Sequence, residues 1–319
     1  MFGYGTKLNT IKDLIVIKLD ENLNPVVSHL KFPDEGCINV TCNNMGDLFL
    51  ITHKEDKAIK VTRYEAPKYL PQDPIIQEMD VHKESDLKDI SGASTTPITD
   101  RNSVYFALFH DNADKDNELT AMKFNFTDRA VKTTSEVFTH AHTKEIEKAY
   151  VPFDTKQDKP DIGPRGLRMK YITEWEGTLV VVLSNQNVGG GGNTGVSSYA
   201  NETSLIINGY DSNLTRKFQQ MMPNWYSSYG FHRMAAYGEK TSLYMLANTA
   251  DGINKWTCYY GKLDLATGSW LKLGKLPKDK LDRKAIFDPS VMWFGNGFII
   301  PYNSMSLSGA DVSLQFNTY

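Results

Sequence analysis

Carboxylates alternate through residues 114–118, which read Asp-Lys-Asp-Asn-Glu. Alternating oxygen ligands open the calcium loops of proteins, but such a loop also needs a glycine at its sixth position and a distal glutamate. Neither residue stands at the required offset after Asp114. Aspartate and asparagine are also ordinary turn formers. The segment Asp114–Glu118 is interpreted as a hairpin tip, and calcium binding there is left open.

Two other segments have residue types that bind metals or phosphates. His140 and His142 would share one face of a strand, but no third ligand follows at metal spacing. The glycine-rich run from Gly189 to Gly195 lacks the Gly-Lys-[ST] ending of a phosphate loop and leads into no predicted helix. We therefore predict a flexible loop there, no metal site and no cofactor.

One motif resembles an enzyme family. Residues 287–291, Phe-Asp-Pro-Ser-Val, resemble the Asp-Pro motif at blade starts of five-bladed propeller glycoside hydrolases. The resemblance implies an aspartate that works with a glutamic acid. Glu174 and Glu176 fall in a predicted turn at the other end of the strands. We predict no catalytic residue, because none of the predicted inner strands contains Asp or Glu: Leu48–Thr52, Val104–Phe109, Leu179–Ser184 and Leu243–Ala247.

These residues are set in a repeat. Five segments share an apolar strand, a tight polar turn and a second apolar strand, a pattern typical of β-hairpins. The strand pairs are Asn39–Cys42 with Leu48–Ile51, Ser94–Thr96 with Val104–Ala107, Met169–Ile172 with Leu179–Val182, Met234–Tyr237 with Leu243–Leu246, and Ser290–Trp293 with Phe298–Ile300.

A second, more polar hairpin follows each first one, so one repeat is a four-stranded antiparallel sheet. Such units must stack on neighbours to cover their apolar faces, and radial stacking is a β-propeller. The stretch Tyr260–Trp270, with Lys262-Leu263-Asp264 and Thr267-Gly268-Ser269, resembles kelch-like propeller repeats. That resemblance implies a fold and no activity.

The spacing of the first strands predicts five blades in a single domain, residues 1–319. The N-terminal segment Leu14–Phe32 and the C-terminal strands are expected to complete one blade together and so close the ring. Six blades, with a short first blade at residues 4–33, is the alternative.

Long connections cluster on one predicted face of the propeller. They are Asp111–Glu118, Asn187–Ser198, Ala247–Lys255, Thr143–Gly166 and Pro223–Gly230. Binding residues concentrate on loops over rigid scaffolds. The candidate binding residues there are aromatic or imidazole side chains, suited to stacking on sugars or anchoring a protein: Trp225, Tyr226, Tyr229, Phe231 and His232.

Composition limits the partners. A net charge of -3 disfavours non-specific nucleic-acid binding. No apolar run reaches the length of about 20 residues that spans a bilayer, and no signal peptide is recognised, so a cytoplasmic or virion location is expected.

We predict a non-enzymatic binding or structural module for a protein or glycan, in an assembly such as a phage virion. A five-bladed glycoside hydrolase and a soluble lectin are the alternatives.

Overall fold

The chain is built almost entirely from β-strands. The computed structural model describes residues 13–19, 21–31, 35–54, 58–66, 75–80, 90–110, 116–149, 162–163, 166–189, 199–226, 234–250, 256–276, 291–295, 297–306 and 309–318. Strands make up most of the described residues, and the described helix has nine residues, which confirms the predicted all-β class.

The N-terminal half forms a hairpin and two four-stranded sheets. The N-terminal hairpin pairs β1 (Asp13–Leu19) with β2 (Pro25–Lys31). The first sheet contains β3 (Glu35–Cys42), β4 (Leu48–Lys54), β5 (Ala58–Tyr64) and β6 (Ile75–Asp80). The second sheet contains β7 (Ile90–Thr95), β8 (Ser103–His110), β9 (Glu118–Asn125) and β10 (Ala130–Val137).

Helix α1 (His140–Lys148) precedes three more sheets. The third sheet contains β11 (Leu167–Trp175), β12 (Thr178–Gly189), β13 (Tyr199–Tyr210) and β14 (Arg216–Tyr226). The fourth sheet contains β15 (Met234–Glu239), β16 (Ser242–Ala250), β17 (Trp256–Asp264) and β18 (Trp270–Lys275). The C-terminal sheet contains β19 (Met292–Phe294), β20 (Gly297–Ser306) and β21 (Gly309–Thr318).

The five predicted first hairpins are confirmed. They correspond to β3–β4, β7–β8, β11–β12, β15–β16 and β19–β20, and a second hairpin completes each of the four four-stranded sheets. Within each of these sheets the strands follow one another in chain order, the meander that the repeat predicted.

The predicted pairing of the chain ends is wrong for the strands that the structure describes. The N-terminal hairpin and the C-terminal sheet are separate sheets. The hairpin is held by face packing instead of edge pairing: its buried Leu30 packs with Leu50 and Tyr64 of the first sheet, and Leu14 and Val16 lie against the same cluster. No ring closed through shared terminal strands is found among these strands.

The chain divides into two compact units. The first unit is residues 1–138, 171–181 and 210–215, and the second is residues 139–170, 182–209 and 216–319. The single domain 1–319 therefore remains a prediction.

In the first unit, the first sheet is covered on both faces. Leu50 and Tyr64 face the N-terminal hairpin. Phe49, Ile51 and Val61 lie on the opposite face, in a core shared with the second sheet. Covering both faces explains why the inner strand β4 is a continuous apolar run, as the sequence indicated.

In the second unit, the fourth and C-terminal sheets share an aromatic core. The Tyr260 and Phe298 rings stack with centroids 5.7 Å apart, and Tyr237 stacks on Trp293 at 5.5 Å. Val291 and Ile300 of the C-terminal sheet are buried in the same cluster. Stacked rings at these separations add to the stability that burial of their apolar area already gives.

A cross-strand cation–aromatic pair recurs at one position of the repeat. In three sheets an aromatic ring on the second strand has its register partner on the third strand, and that partner is a cation lying over the ring. The pairs are Phe49–Arg63 at 5.9 Å, Tyr105–Lys123 at 5.3 Å and Tyr244–Lys262 at 5.0 Å from cation to ring centroid. The recurrence supports the repeat alignment independently of hydropathy.

Candidate functional site

Each four-stranded sheet has two different ends. At one, the turn end, the first and second strands connect through short segments; the opposite is the loop end. The turn-end connections are residues 43–47, 96–102, 176–177 and 240–241. The loop-end connections between successive sheets are residues 81–89, 138–166, 227–233 and 276–291.

The predicted aromatic site falls at the loop end of the third sheet. Trp225 and Tyr226 are the last two residues of β14. Tyr229, Phe231 and His232 lie outside the described residues, in the connection from β14 to β15. Convergence of the five side chains therefore stays a prediction. The predicted connection Pro223–Gly230 starts too early, because residues 223–226 belong to β14.

The segment containing His140 and His142 is a helix, so the prediction that they share a strand face is wrong. Thr139 caps α1, its hydroxyl accepting a hydrogen bond from the His142 amide at 3.2 Å. Residues two apart do not face one another on a helix. The sequence does contain signals for a helix: the Thr139 hydroxyl cap and the helix-favouring Ala, Lys and Glu residues that follow it. The alternation of the two histidines led to a strand being predicted instead.

Helix α1 is fixed to β14, the strand that carries the predicted aromatic site. The His142 imidazole lies 3.2 Å from the Gln219 side-chain oxygen and 3.3 Å from the Arg216 guanidinium. Gln219 in turn donates to Asn208 on β13 at 2.6 Å. Residues 140–148 of this connection thus form a helix that contacts the outer strand of the third sheet.

The remaining sequence candidates are only partly described. Of the candidate calcium segment Asp114–Glu118, residues 116–118 are described. Asn117 is fully buried, and its backbone carbonyl accepts a hydrogen bond from the Phe138 amide at 2.9 Å. Gly189 ends β12, and the rest of the glycine run and Asp288 lie outside the described residues. Among the side chains that are described, no three His, Cys, Asp or Glu residues form a metal-binding group.

The turn end of the first unit contains a buried carboxylate that the sequence did not reveal. Asp47 is 0% exposed. It accepts hydrogen bonds from Arg63 at 2.8 Å, from Arg101 at 2.7 Å to each oxygen, from Asn43 at 3.1 Å and from the Ala66 amide at 2.9 Å. Because Arg101 belongs to the β7–β8 turn, this network ties the first sheet to the second.

The network sets the ionisation of Asp47. Burial by itself raises the pKa of the carboxyl, but the hydrogen bonds from Arg101, Ala66, Asn43 and Arg63 outweigh it and hold the pKa well below its ordinary value. Asp47 is therefore a carboxylate at neutral pH with its acceptor capacity used by the protein. Such a group stabilises structure and is not an available acid or base.

A second carboxyl at the turn end is also engaged. Glu174 is buried and accepts a hydrogen bond from the Gly177 amide at 2.6 Å. Burial raises its pKa, opposed by backbone hydrogen bonds from Gly177 and Ile98. The pKa of Tyr105 is likewise raised, chiefly by burial and then by the negative charge of Glu174. Glu174 thus joins turns of the second and third sheets within the first unit.

Each terminal sheet has one face on which described apolar side chains are exposed. On the N-terminal hairpin, Leu14, Val16 and Leu30 face the first sheet, and the alternate residues face out. The aliphatic residues among them are all exposed, by 49% to 62%, and define the hairpin face: Ile15, Ile17, Leu19 and Val27. On the C-terminal sheet the corresponding exposed apolar residues are Met292, Phe294, Leu314 and Phe316.

Comparison with known proteins identifies no family. No protein-family model matches the chain, and no curated protein matches it. Among solved structures it is similar to prolyl oligopeptidase B from Galerina marginata bound to a 35mer hydrolysis and macrocyclization substrate. Two such structures are 9% identical over 84% and 92% of this chain, with TM-scores of 0.21 and 0.23.

The chain spans about half the length of those structures, 46% and 55%. At these TM-scores the similarity supports neither a shared fold nor a shared activity. No described helix is long and apolar enough to cross a membrane.

Proposed function

We propose that the chain is a kelch-like β-propeller that acts as a non-enzymatic binding or structural module. Its loop end would contact a protein or glycan, through Trp225 and Tyr226 together with Tyr229, Phe231 and His232. The chain would work as one component of a larger assembly, such as a virion.

The contrast between the two ends of the sheets carries this proposal. At the turn end of the first unit, four polar side chains are committed to internal contacts: Asp47, Arg63, Arg101 and Glu174. At the loop end, three of the four connections between sheets are longer than any turn-end connection, and the fourth, residues 227–233, directly follows Trp225 and Tyr226. Long connections on a rigid scaffold are where binding residues concentrate.

The propeller part of the proposal rests on the order of packing. Within the first unit the hairpin, the first sheet and the second sheet pack in chain order. Within the second unit the fourth sheet packs on the C-terminal sheet that follows it. Four-stranded meanders that stack in chain order are the building plan of propellers. The described strands form six sheets, which favours the six-blade alternative with a short first blade.

The test compares three full-length proteins: the wild type, the double variant Trp225→Ala/Tyr226→Ala, and the control Met45→Ala, an exposed turn-end residue. Each tagged chain is expressed in the organism that encodes it, and the mass of the native complex is measured. The purified chains are also applied to an array of defined glycans. We expect the wild type and the control to bind in one assay, and the aromatic double variant to lose about tenfold or more in affinity.

Two results would remove the proposal. One is a wild-type chain that is free in extracts and binds no glycan on the array. The other is an equal loss of binding in the double variant and the turn-end control, since loss at both ends reports damage to the fold. Thermal melting of all three proteins separates folding from binding.

A further inference from the structure

One ring nitrogen of helix α1 lies between two side chains of β14. His142 is the third residue of α1, and its Nε2 is 3.3 Å from a guanidinium nitrogen of Arg216 and 3.2 Å from the side-chain oxygen of Gln219. All three residues belong to the second unit. His142 is half buried and Arg216 is exposed, so the contact between helix and strand is open to protons from the solvent.

The two neighbours of Nε2 make opposite demands on it. A guanidinium has only N–H donors, so the Arg216 contact needs the lone pair of Nε2. An amide oxygen only accepts, so the Gln219 contact needs a proton on Nε2. Because a ring nitrogen is either a donor or an acceptor, Nε2 can bond to one of these two partners at a time.

Gln219 and the helix are held in place, and Arg216 is the partner that can move. The Gln219 amide nitrogen donates to Asn208 of β13 at 2.6 Å, which turns the amide oxygen towards the ring. The Thr139 cap holds the first turn of α1 through the His142 amide at 3.2 Å. Arg216 is exposed at the start of β14, so its long side chain can leave the ring without displacing a strand.

The charged groups near the ring come from both packed elements. On β14 they are Arg216 and Lys217, and Lys217 donates to a backbone carbonyl of the fourth sheet at 2.8 Å. On α1, Lys144 forms an ion pair with Glu147 at 2.9 Å. Glu145 lies three residues after the ring and is exposed, so water and salt weaken its attraction for a protonated imidazole. At 3.3 Å, the Arg216 guanidinium is the cation that a protonated ring must repel.

We propose that the proton on His142 Nε2 selects which residue of β14 holds helix α1. Without that proton, Nε2 accepts a charge-assisted hydrogen bond from Arg216, the stronger of the two bonds. With it, the imidazolium donates to Gln219 and repels the guanidinium, which leaves the ring. Histidine is the side chain that changes charge between about pH 5 and pH 8, so mild acidification drives the switch of partners. This inference concerns the outer strand of the third sheet and does not depend on the loop-end site.

Nitrogen NMR of the full chain, with isotope-labelled histidine rings, reports directly which ring nitrogen holds a proton. The His142 signal is identified by its absence in His142→Gln. We expect Nε2 of the wild type to be an acceptor at pH 8 and both ring nitrogens to hold protons at pH 5. In Arg216→Met, Nε2 should hold a proton at pH 8 as well, because the bond to Gln219 takes over. The control Lys217→Met removes the neighbouring cation and should match the wild type, and exposed His140 should give the same signals in every variant.

Hydrogen exchange of the α1 amides tests the switch without relying on the ring signals. Gln219→Met removes the acceptor, so at pH 5 the protonated ring keeps the repelling guanidinium beside it and loses its bond to β14. We expect the α1 amides of this variant to exchange about threefold or more faster than those of the wild type at pH 5, and at nearly the wild-type rate at pH 8. Arg216→Met should match the wild type at pH 5. Each comparison is made at one pH, which cancels the intrinsic effect of pH on amide exchange.

Three results would overturn the proposal. The first is a proton on Nε2 of the wild type at pH 8, and the second is a ring in Arg216→Met that keeps the wild-type protonation. The third is an equal loss of α1 protection in Gln219→Met at both pH values, which would mean that Gln219 supports the helix by packing alone. The NMR comparison decides even where Gln219→Met does not fold, because Arg216→Met changes an exposed side chain.

Discussion

Replacing Asp47 with asparagine removes the charge at the centre of the turn-end network while keeping the size of the side chain. The variant leaves Arg63, whose side chain is 3% exposed, without its buried counterion. Removing one partner of a buried ion pair costs about 3–5 kcal/mol. Glu65, whose carboxylate lies 3.2 Å from Arg63, and Asn102, whose side-chain oxygen accepts from Arg63 at 2.7 Å, compensate part of that loss. We therefore expect the lower end, about 3 kcal/mol.

Arg101 contributes less to this figure because its side chain is 41% exposed, so water replaces the lost contact. The assay is urea unfolding at pH 7 followed by tryptophan fluorescence, with thermal melting as a second probe. A loss of about 3 kcal/mol lowers the melting temperature by roughly 5 °C in a protein of this size. The control is Glu65→Gln, which removes an exposed carboxylate from the same guanidinium and should cost under about 1 kcal/mol.

The pH dependence follows from the direction of the pKa shift. The pKa of Asp47 is lower in the folded chain than in the unfolded one, so its stabilisation is present above about pH 4 and is lost as the pH falls further. The difference in unfolding free energy between wild type and Asp47→Asn should shrink from pH 7 to pH 2. An Asp47→Asn protein within 1 kcal/mol of the wild type at pH 7 would refute the buried network as a stabilising element.

Three further predictions concern a turn, the cysteines and the glycosidase resemblance. Gly268→Ala should be destabilising, because Gly268 has a φ of +69° and an added Cβ would clash with the Phe218 side chain; Gly274→Ala, with open space around it, is the control in the same urea assay. Cys258 is buried and its pKa is raised well above the ordinary value by burial, so peptide mapping after a short maleimide pulse should find Cys42 modified and Cys258 untouched. Purified wild type should hydrolyse no aryl glycoside in a panel; turnover that disappears in Asp288→Asn would replace the binding module with a hydrolase.

The hairpins were predictable because each depends on local signals. Alternating apolar residues, a tight polar turn and a second apolar run occur within about 15 residues, and that information is enough to place β3–β4 or β15–β16. The burial of β8 on both faces also followed from its uninterrupted apolar sequence, Val104–Phe109.

Long-range relations were not predictable in the same way. Asp47 and Arg101 are 54 residues apart, and nothing in either segment marks them as partners. The helix at His140 was missed because the alternation of His140 and His142 was interpreted as a strand. The segment is short and polar and has no run of apolar residues that would support a strand. The pairing of the chain ends was wrong because the apolar residues Leu14, Val16 and Leu30 fit face packing as well as edge pairing.

The aromatic site shows both kinds of information. The sequence placed Trp225 and Tyr226 correctly at the loop end of the third sheet but inside a connection, Pro223–Gly230, whereas both residues belong to β14. Whether Tyr229, Phe231 and His232 converge with them depends on the path of a connection, which local patterning does not specify.

The arrangement of the sheets is the central claim, and an experimental structure of the full chain by crystallography or electron cryomicroscopy tests it most directly. The account predicts four-stranded antiparallel sheets arranged radially about one axis, with Trp225 and the glycine-rich connection after Gly189 at the same end of that axis. Two sheets stacked face to face as a sandwich, or two separate domains without a common axis, would contradict it.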